Sequence, residues 1–215
     1  MLIDNFISFI NSNGGISPQI ILDVGSRDLD QSIEFSKTFP TSTIHAFEPN
    51  PTQYNICEEK SKLHPNVHVH QFAIGDNNGK LDFYLTLGNI GASSLLKPID
   101  VPFASTQECQ KISVDCIRLD EWLAKNEIKS VDILWMDTQG VELLALKGMG
   151  DFLKNVKFIH CEASVSPYYE GHILKTDLED FLIRNNFNVE FIPCPHPYGE
   201  GDILAVNKNY VNNLS

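Results

Sequence analysis

Two stretches decide the fold: QIILDVGSRD, from Gln19 to Asp28, and TIHAFEPNP, from Thr43 to Pro51. Each is a short, mostly apolar run that ends on an acid and then passes into glycine, proline or asparagine. A continuous apolar run of this length reads as a strand buried on both faces, the pattern of a parallel sheet. Further runs of the same kind follow at 67–72 (VHVHQF), 131–136 (VDILWM), 156–160 (VKFIH), 187–192 (FNVEFI) and 203–206 (ILAV). Helical stretches lie between most of them. Residues 51–62 follow Asn50, a residue suited to capping, with a proline at the first helical position. Residues 119–126, 141–147 (closed by Gly148) and 176–186 carry apolar side chains at helical spacing. Strands alternating with helices give a doubly wound α/β sheet.

Two regions stand outside the alternation. At the N-terminus Leu2, Ile3, Phe6, Ile7 and Ile10 share one helix face, and Gly14-Gly15 ends the pattern. This helix, within residues 1–15, is expected to pack on the domain. After Phe72 comes AIGDNNGKLDFYLTL, where Asn78-Gly79 signals a tight turn and Leu81, Phe83 and Leu85 alternate with polar residues. A hairpin strand is expected there, with a partner at 111–117. Between them, residues 88–110 have no periodicity and read as a lid over a site or, alternatively, a plain mobile insertion. The insertion thus spans 75–117, within a single domain covering 1–215.

Composition narrows the function. The chain has 215 residues, and 16 basic against 28 acidic residues give a net charge of −12. Such a chain repels phosphate backbones, so no nucleic-acid partner is expected. No apolar run approaches the roughly 18–20 residues that cross a bilayer, so no membrane association is expected. The five cysteines, Cys57, Cys109, Cys116, Cys161 and Cys194, are odd in number and form no C-x-x-C pair. With no basic, cleavable leader in MLIDNFISFINSNGG, this usage fits a reducing, cytoplasmic setting. The oligomeric state is left open.

In an open parallel sheet, ligands bind beyond the carboxyl ends of the strands. The first strand ends at Asp23, Val24, Gly25 and Ser26, the second at Glu48, Pro49 and Asn50. Glu48 lies 25 residues after Asp23, where a βαβ unit returns an acid toward a ribose diol. A carboxylate accepts hydrogen bonds from two adjacent hydroxyls, and Gly25 lets backbone approach a ligand closely. A dinucleotide would need further glycines for its pyrophosphate, but Arg27 and Leu29 or Asp30 stand there. A P-loop is absent. A cofactor with a ribose and no phosphates fits better, and S-adenosylmethionine is such a molecule.

The segments ILDVGSRD, HAFEPNP, AIGDNNGKLDF, GASSL, VDCIRLDEWL, DILWMDTQGVELLALKGM and FIHCEAS together resemble the successive motifs of FkbM-type S-adenosylmethionine-dependent methyltransferases. The resemblance covers residues 20–206. It implies a class I methyltransferase fold, Rossmann-like, with a seven-stranded, mostly parallel sheet whose last strand is antiparallel. It also implies methyl transfer to a hydroxyl of a carbohydrate, glycan or other small-molecule acceptor. Matched to the motifs, Asp23, Gly25 and Ser26 hold the methionine end of the cofactor. Glu48 binds the ribose, with Asn50 beside it, and Phe72 and Ala73 flank the adenine. Asp137 lies next to the transferring methyl, and Gln139, Gly140 and Glu142 belong to the same signature. Glu162 closes the fifth strand. The family's DVGANxG reads DVGSRDL here, and in its KIDVEG motif Trp135 replaces lysine and Gln139 replaces glutamate.

Transfer to a hydroxyl needs alignment and a proton acceptor. The candidates at the strand ends are Asp137, Glu162 and His160, the last two sharing a strand face. Asp137 and Glu162 are also the pair that would offer oxygen ligands to Mg²⁺, although a metal-free route is favoured. His68 and His70 are expected to pack rather than to bind metal. Tyr168 and Tyr169 are placed either on a sugar ring or in surface packing, and 193–199 either on the acceptor site or in a stiff loop. Alternative readings are an N-methyltransferase, a degenerate methyltransferase acting as a binding module, and a nicotinamide dehydrogenase, which the missing glycines disfavour.

Overall fold

The computed structural model describes residues 3–99, 109–194 and 199–213. In chain order the helices are α1 (Ile3–Ser12), α2 (Asp30–Thr38), α3 (Pro51–Ser61), α4 (Leu119–Lys125), α5 (Glu142–Gly148), α6 (Lys175–Arg184) and α7 (Lys208–Asn212). The strands are β1 (Ile20–Val24), β2 (Thr43–Phe47), β3 (Val67–His70), β4 (Ala73–Ile74), β5 (Gly79–Thr86), β6 (Cys109–Ile117), β7 (Val131–Met136), β8 (Val156–Ser164), β9 (Phe187–Pro193) and β10 (Glu200–Asn207).

Seven strands form the main sheet in the order β3-β2-β1-β7-β8-β10-β9. The pairs from β3 through β8 are parallel, and β10 runs antiparallel to both β8 and β9. Every residue of β7, at the centre, is buried, as a strand covered on both faces requires. One face carries Phe6 and Ile10 of α1, Phe35 of α2 and Cys57 of α3, packed on Ile21, Ile133 and Trp135. The other carries Leu119 and Leu123 of α4, Leu146 of α5, and Leu178 and Leu182 of α6, packed on Leu22, Leu134 and Ile159. Among the described residues no helix is long and apolar enough to cross a membrane.

The expected elements form, with four differences. The expected strand at 67–72 ends at His70, because Phe72 turns back onto the His70 carbonyl and the chain enters β4. Strands β4, β5 and β6 make a second sheet with β6 in the middle, parallel to β4 and antiparallel to β5. Asn78-Gly79 therefore does not join the antiparallel pair. It carries the chain across β6 from one neighbour to the other, and Asn78 Oδ1 accepts from the Arg118 N–H at 2.8 Å. Gly148 does not cap its helix but is still helical, and the left-handed residue is Gly150 (φ 50°). A Cβ on Gly148 would lie 2.1 Å from the Gly75 carbonyl oxygen, so close packing of α5 on the second sheet explains the glycine. Helix α2, finally, has no sequence signal of its own. It starts at Leu29, left-handed at φ 69° and without a side-chain cap, and is held because Leu29 and Phe35 are fully buried.

Candidate active site

Strand register builds the site. Val24 pairs with Phe47 on one side and Met136 on the other, and Met136 pairs with Cys161. The next residue on each strand is Gly25, Glu48, Asp137 and Glu162, so these four line up along the carboxyl rim of the sheet. Backbone hydrogen bonds continue into the rim, from Gly25 to Phe47, from Asp137 to Val24 and from Glu48 to His70, each 3.0 Å. Gly25 has φ 87°, and a Cβ there would sit 2.0 Å from the Asp137 carbonyl oxygen. Only glycine lets β1 and β7 approach so closely at this point.

A cavity of about 560 Å³, counted with its open mouth, lies above this rim. Gly25, Glu48, Asn50, Asp137 and Thr138 form its polar side, and Phe47, Phe72, Ala73 and Ile74 its apolar side. Ile90, Gly91, Ser93 and Leu95 border it from the inserted segment. Residues 100–108 of the expected lid lie outside the described residues. Each oxygen of Glu48 accepts one backbone N–H, Oε2 from Arg27 at 2.8 Å and Oε1 from Asn50 at 2.7 Å. A carboxylate has about four acceptor positions, so both oxygens keep capacity toward the cavity. Burial, opposed by these two bonds, pushes the Glu48 carboxyl up to about 7. Asn50 also caps α3, its side chain accepting from Thr52 N–H at 3.0 Å. A smaller recess, about 330 Å³, adjoins at Gly25, Arg27, Gln31 and Asp137.

Asp23 and Ser26 border neither cavity. Asp23 is buried under the rim and accepts from Ser32 Oγ at 2.5 Å, and Ser26 Oγ donates to the Asp23 carbonyl at 3.1 Å. Burial raises the Asp23 carboxyl to about 6. The two residues brace the β1–α2 turn from below.

At the far side of the rim, Gln139 joins Asp137 to Glu162. Its amide nitrogen donates to Asp137 Oδ1 at 2.6 Å and to Glu162 Oε2 at 2.7 Å. This nitrogen thus lies between the two carboxyls considered for Mg²⁺. Burial, followed by the charge of Asp137, holds the Glu162 carboxyl well above the usual carboxylate range. Glu142, buried at the start of α5, accepts from the N–H groups of Thr138 and Gly140 at 3.0 and 3.1 Å, which fixes the loop carrying Gln139. A third cavity, about 240 Å³, lies beyond Gln139 and is bordered by Glu162, Ser164, Tyr168, His172 and Glu200.

His160 does not join this group. It is 2% exposed, its ring stacks on Trp135 at 3.6 Å, and its Nε2 pairs with Asp202 at 2.7 Å. The alternation that put it on the Glu162 face holds, but one turn of the pleat back it meets Phe6 of α1 and is sealed by that helix. Tyr169 is likewise buried rather than exposed for stacking, and its hydroxyl lies 3.0 Å from Gln139 Oε1. Of 193–199, residues 195–198 lie outside the described residues. The roles of Tyr169 and of Ser94, whose hydroxyl donates to the Gln139 carbonyl at 2.7 Å, have no local sequence signal. Both depend on loops meeting across the site.

The family model described as "Methyltransferase FkbM domain" matches residues 23–189. The 2-O-methyltransferase NoeI of Sinorhizobium fredii is 31% identical over 197 residues, covering 87% of this chain and 79% of that protein. The hexuronic acid methyltransferase AglP of Haloferax volcanii is 27% identical over 129 residues, covering 59% of this chain and 50% of that protein. Among solved structures, magnesium protoporphyrin IX methyltransferase (ChlM) of Synechocystis, with bound SAM, superposes with a TM-score of 0.55 at 10% identity, covering 95% of this chain and 77% of that one. The sheet order and the antiparallel β10 are those of the class I methyltransferase fold, and the chain belongs to the FkbM methyltransferase family.

Proposed function

We propose that this protein moves the methyl group of S-adenosylmethionine to a hydroxyl oxygen of a carbohydrate or other polyhydroxylated small molecule. The observation that carries the reading is Glu48, a buried carboxylate with both oxygens anchored by backbone N–H groups and facing a cavity of about 560 Å³. The residues present fit the cofactor. Glu48 matches a ribose diol, Phe47, Phe72 and Ile74 offer an apolar slot for a planar base, and Arg27 borders the recess where a carboxylate would lie. Thr138 Oγ1, buried and without a hydrogen-bond partner, borders the same cavity. When bound, S-adenosylmethionine supplies an electrophilic methyl on a sulfonium.

The protein's own part is positional and acid–base. Gly25 and Asn50 shape the floor, Asp23 and Ser26 stiffen it, and the loop around Ile90 and Leu95 covers it. Asp137, bordering both the main cavity and its recess, is placed to take the hydroxyl proton, with Glu162 beside it. The recess beyond Gln139, with room as it stands for about one water, marks the side from which the acceptor would approach. It offers carboxylates, a serine and aromatic rings, which match hydroxyl donors and sugar faces. Among the described residues no lysine or arginine borders it. The names of NoeI and AglP, a 2-O-methyltransferase and a hexuronic acid methyltransferase, support a sugar oxygen as the acceptor.

The test supplies the protein with methyl-labelled S-adenosylmethionine and a cell extract and follows products by mass spectrometry. Label is expected as methyl ethers in the neutral glycan fraction. Label found only on amines, or none in any glycan fraction, would overturn the assignment.

A further inference from the structure

The amide of Gln139 sits at a junction that catalysis by a single side chain would not require. A primary amide nitrogen carries two protons, and here one points to each of the two strand-end carboxyls, Asp137 and Glu162, at 2.6 and 2.7 Å. The amide oxygen faces the Tyr169 hydroxyl at 3.0 Å. Turning the amide over would set its oxygen against two carboxyl oxygens, so the network fixes its direction. The same tyrosine hydroxyl is 3.0 Å from the Ala92 carbonyl, and Ser94 Oγ donates to the Gln139 carbonyl. Residues 92–94 belong to the segment that borders the donor cavity, so one residue touches both acids and the cover of the site. Gln139 holds its place with φ 57°, a left-handed conformation uncommon outside glycine and stored where the surroundings enforce it.

We infer that Gln139 is a positioning residue that makes Asp137 and Glu162 one acid–base unit, with Tyr169 fixing the direction of its amide, so that the acceptor's proton goes to Asp137. The inference rests on the methyl-transfer reading above. As the acceptor oxygen bonds the methyl carbon, the carbon–sulfur pair stays with sulfur and the hydroxyl proton passes to the Asp137 carboxylate. Glu162 is the member kept protonated, since burial and then the Asp137 charge oppose its ionisation. Two N–H donors favour negative charge on the carboxyls they meet, so the amide steadies the charged form that accepts the proton. Glu142 and Glu200 add to the shift at Glu162, Asp23 and His160 feel the Asp137 charge, and Tyr169 feels Glu162, Asp137, Glu142 and Glu200.

The test is a carboxyl ¹³C NMR titration of Asp137 and Glu162 in protein saturated with S-adenosylhomocysteine. Wild type is expected to keep Glu162 protonated well above the usual carboxylate range. Gln139→Asn tolerates the left-handed backbone but is one methylene too short to reach both acids, and the Glu162 midpoint should rise as that carboxyl loses an N–H donor. Tyr169→Phe, which keeps the Gln139 backbone contacts, should move the same midpoint in the same direction by less, and it serves if the first variant does not fold. A residue that merely braced the loop would leave both midpoints in place, and unchanged midpoints in the folded variants would overturn the inference while leaving methyl transfer standing. Failure of S-adenosylhomocysteine to bind wild type would instead overturn the reading of the site itself.

Discussion

Glu48 carries the largest single consequence at the scale of one residue. Its carboxyl is pushed to about 7 by burial, net of the hydrogen bonds from Asn50 and Arg27. A folded value above the ordinary one means that ionising Glu48 costs stability as pH rises through 4.5 toward about 7. Two ribose hydroxyls would favour the ionised form, so S-adenosylhomocysteine binding should release a proton near neutrality. Affinity measured by calorimetry should rise with pH up to about 7 and then level off. Glu48→Gln should flatten that dependence, and Glu48→Ala should weaken binding by about 2–4 kcal/mol, the scale of paired charge-assisted hydrogen bonds. A flat wild-type profile and normal affinity in the alanine variant would contradict the assignment. The rim residues Gly25, Glu48 and Asp137 were legible because each directly follows an apolar strand, and Glu162 because it lies just past the apolar run 156–160, although β8 continues to Ser164. Asp23 was legible as a strand-end acid, but not as one turned away from the cavity, because sequence does not say which strand-end side chain the next helix covers. His160 shows the same limit: face alternation placed it beside Glu162, and only the packing of α1 removes it from solvent.

Among the elements, the edge pair β2–β3 bears most on the site, since the His70 carbonyl accepts the N–H groups of both Glu48 and Phe72. His45 and His70 meet there at 3.1 Å beside Trp122 of α4. Burial first, then the neighbouring histidines, lowers both rings to about 4. With folded values below the unfolded 6.5, stability is lost as pH falls from about 6.5 toward 4. The rings are partly exposed, so solvent screening limits the effect to roughly 1 kcal/mol each. Thermal melting of His70→Gln should therefore show a smaller loss between pH 7 and 4.5 than wild type. Asp23 and Glu48 act in the opposite direction but equally in both proteins. Identical losses would show that the histidine pair carries no such strain. The pair was not visible in sequence, where His68 and His70 alternate with valines and His45 lies on another strand. Helix α3, by contrast, was readable from Asn50 and Pro51 because its capping is chemical, whereas α2 was not, because it begins on a buried leucine.

For the molecule as a whole, the alternation of apolar strands and helices was enough to give the doubly wound sheet, since buried parallel strands need no partner-specific code. The second sheet was only half legible. Its strands show period-two alternation, but their order depends on a crossing that Asn78-Gly79 does not reveal. The net result is an acidic protein with two cavities on either side of Gln139, one with an apolar wall opposite Glu48 and Asp137 and one lined by acids and aromatic rings. On the proposed function the first receives the methyl donor and the second faces the acceptor, with Asp137 between them. The most direct measurement is a crystal structure of the protein with S-adenosylhomocysteine. Both ribose hydroxyls are expected on Glu48, the base between Phe72 and Ile74, and the sulfur directed past Asp137 toward Gln139. A ligand bound away from Glu48, or with its sulfur directed away from Asp137, would contradict it.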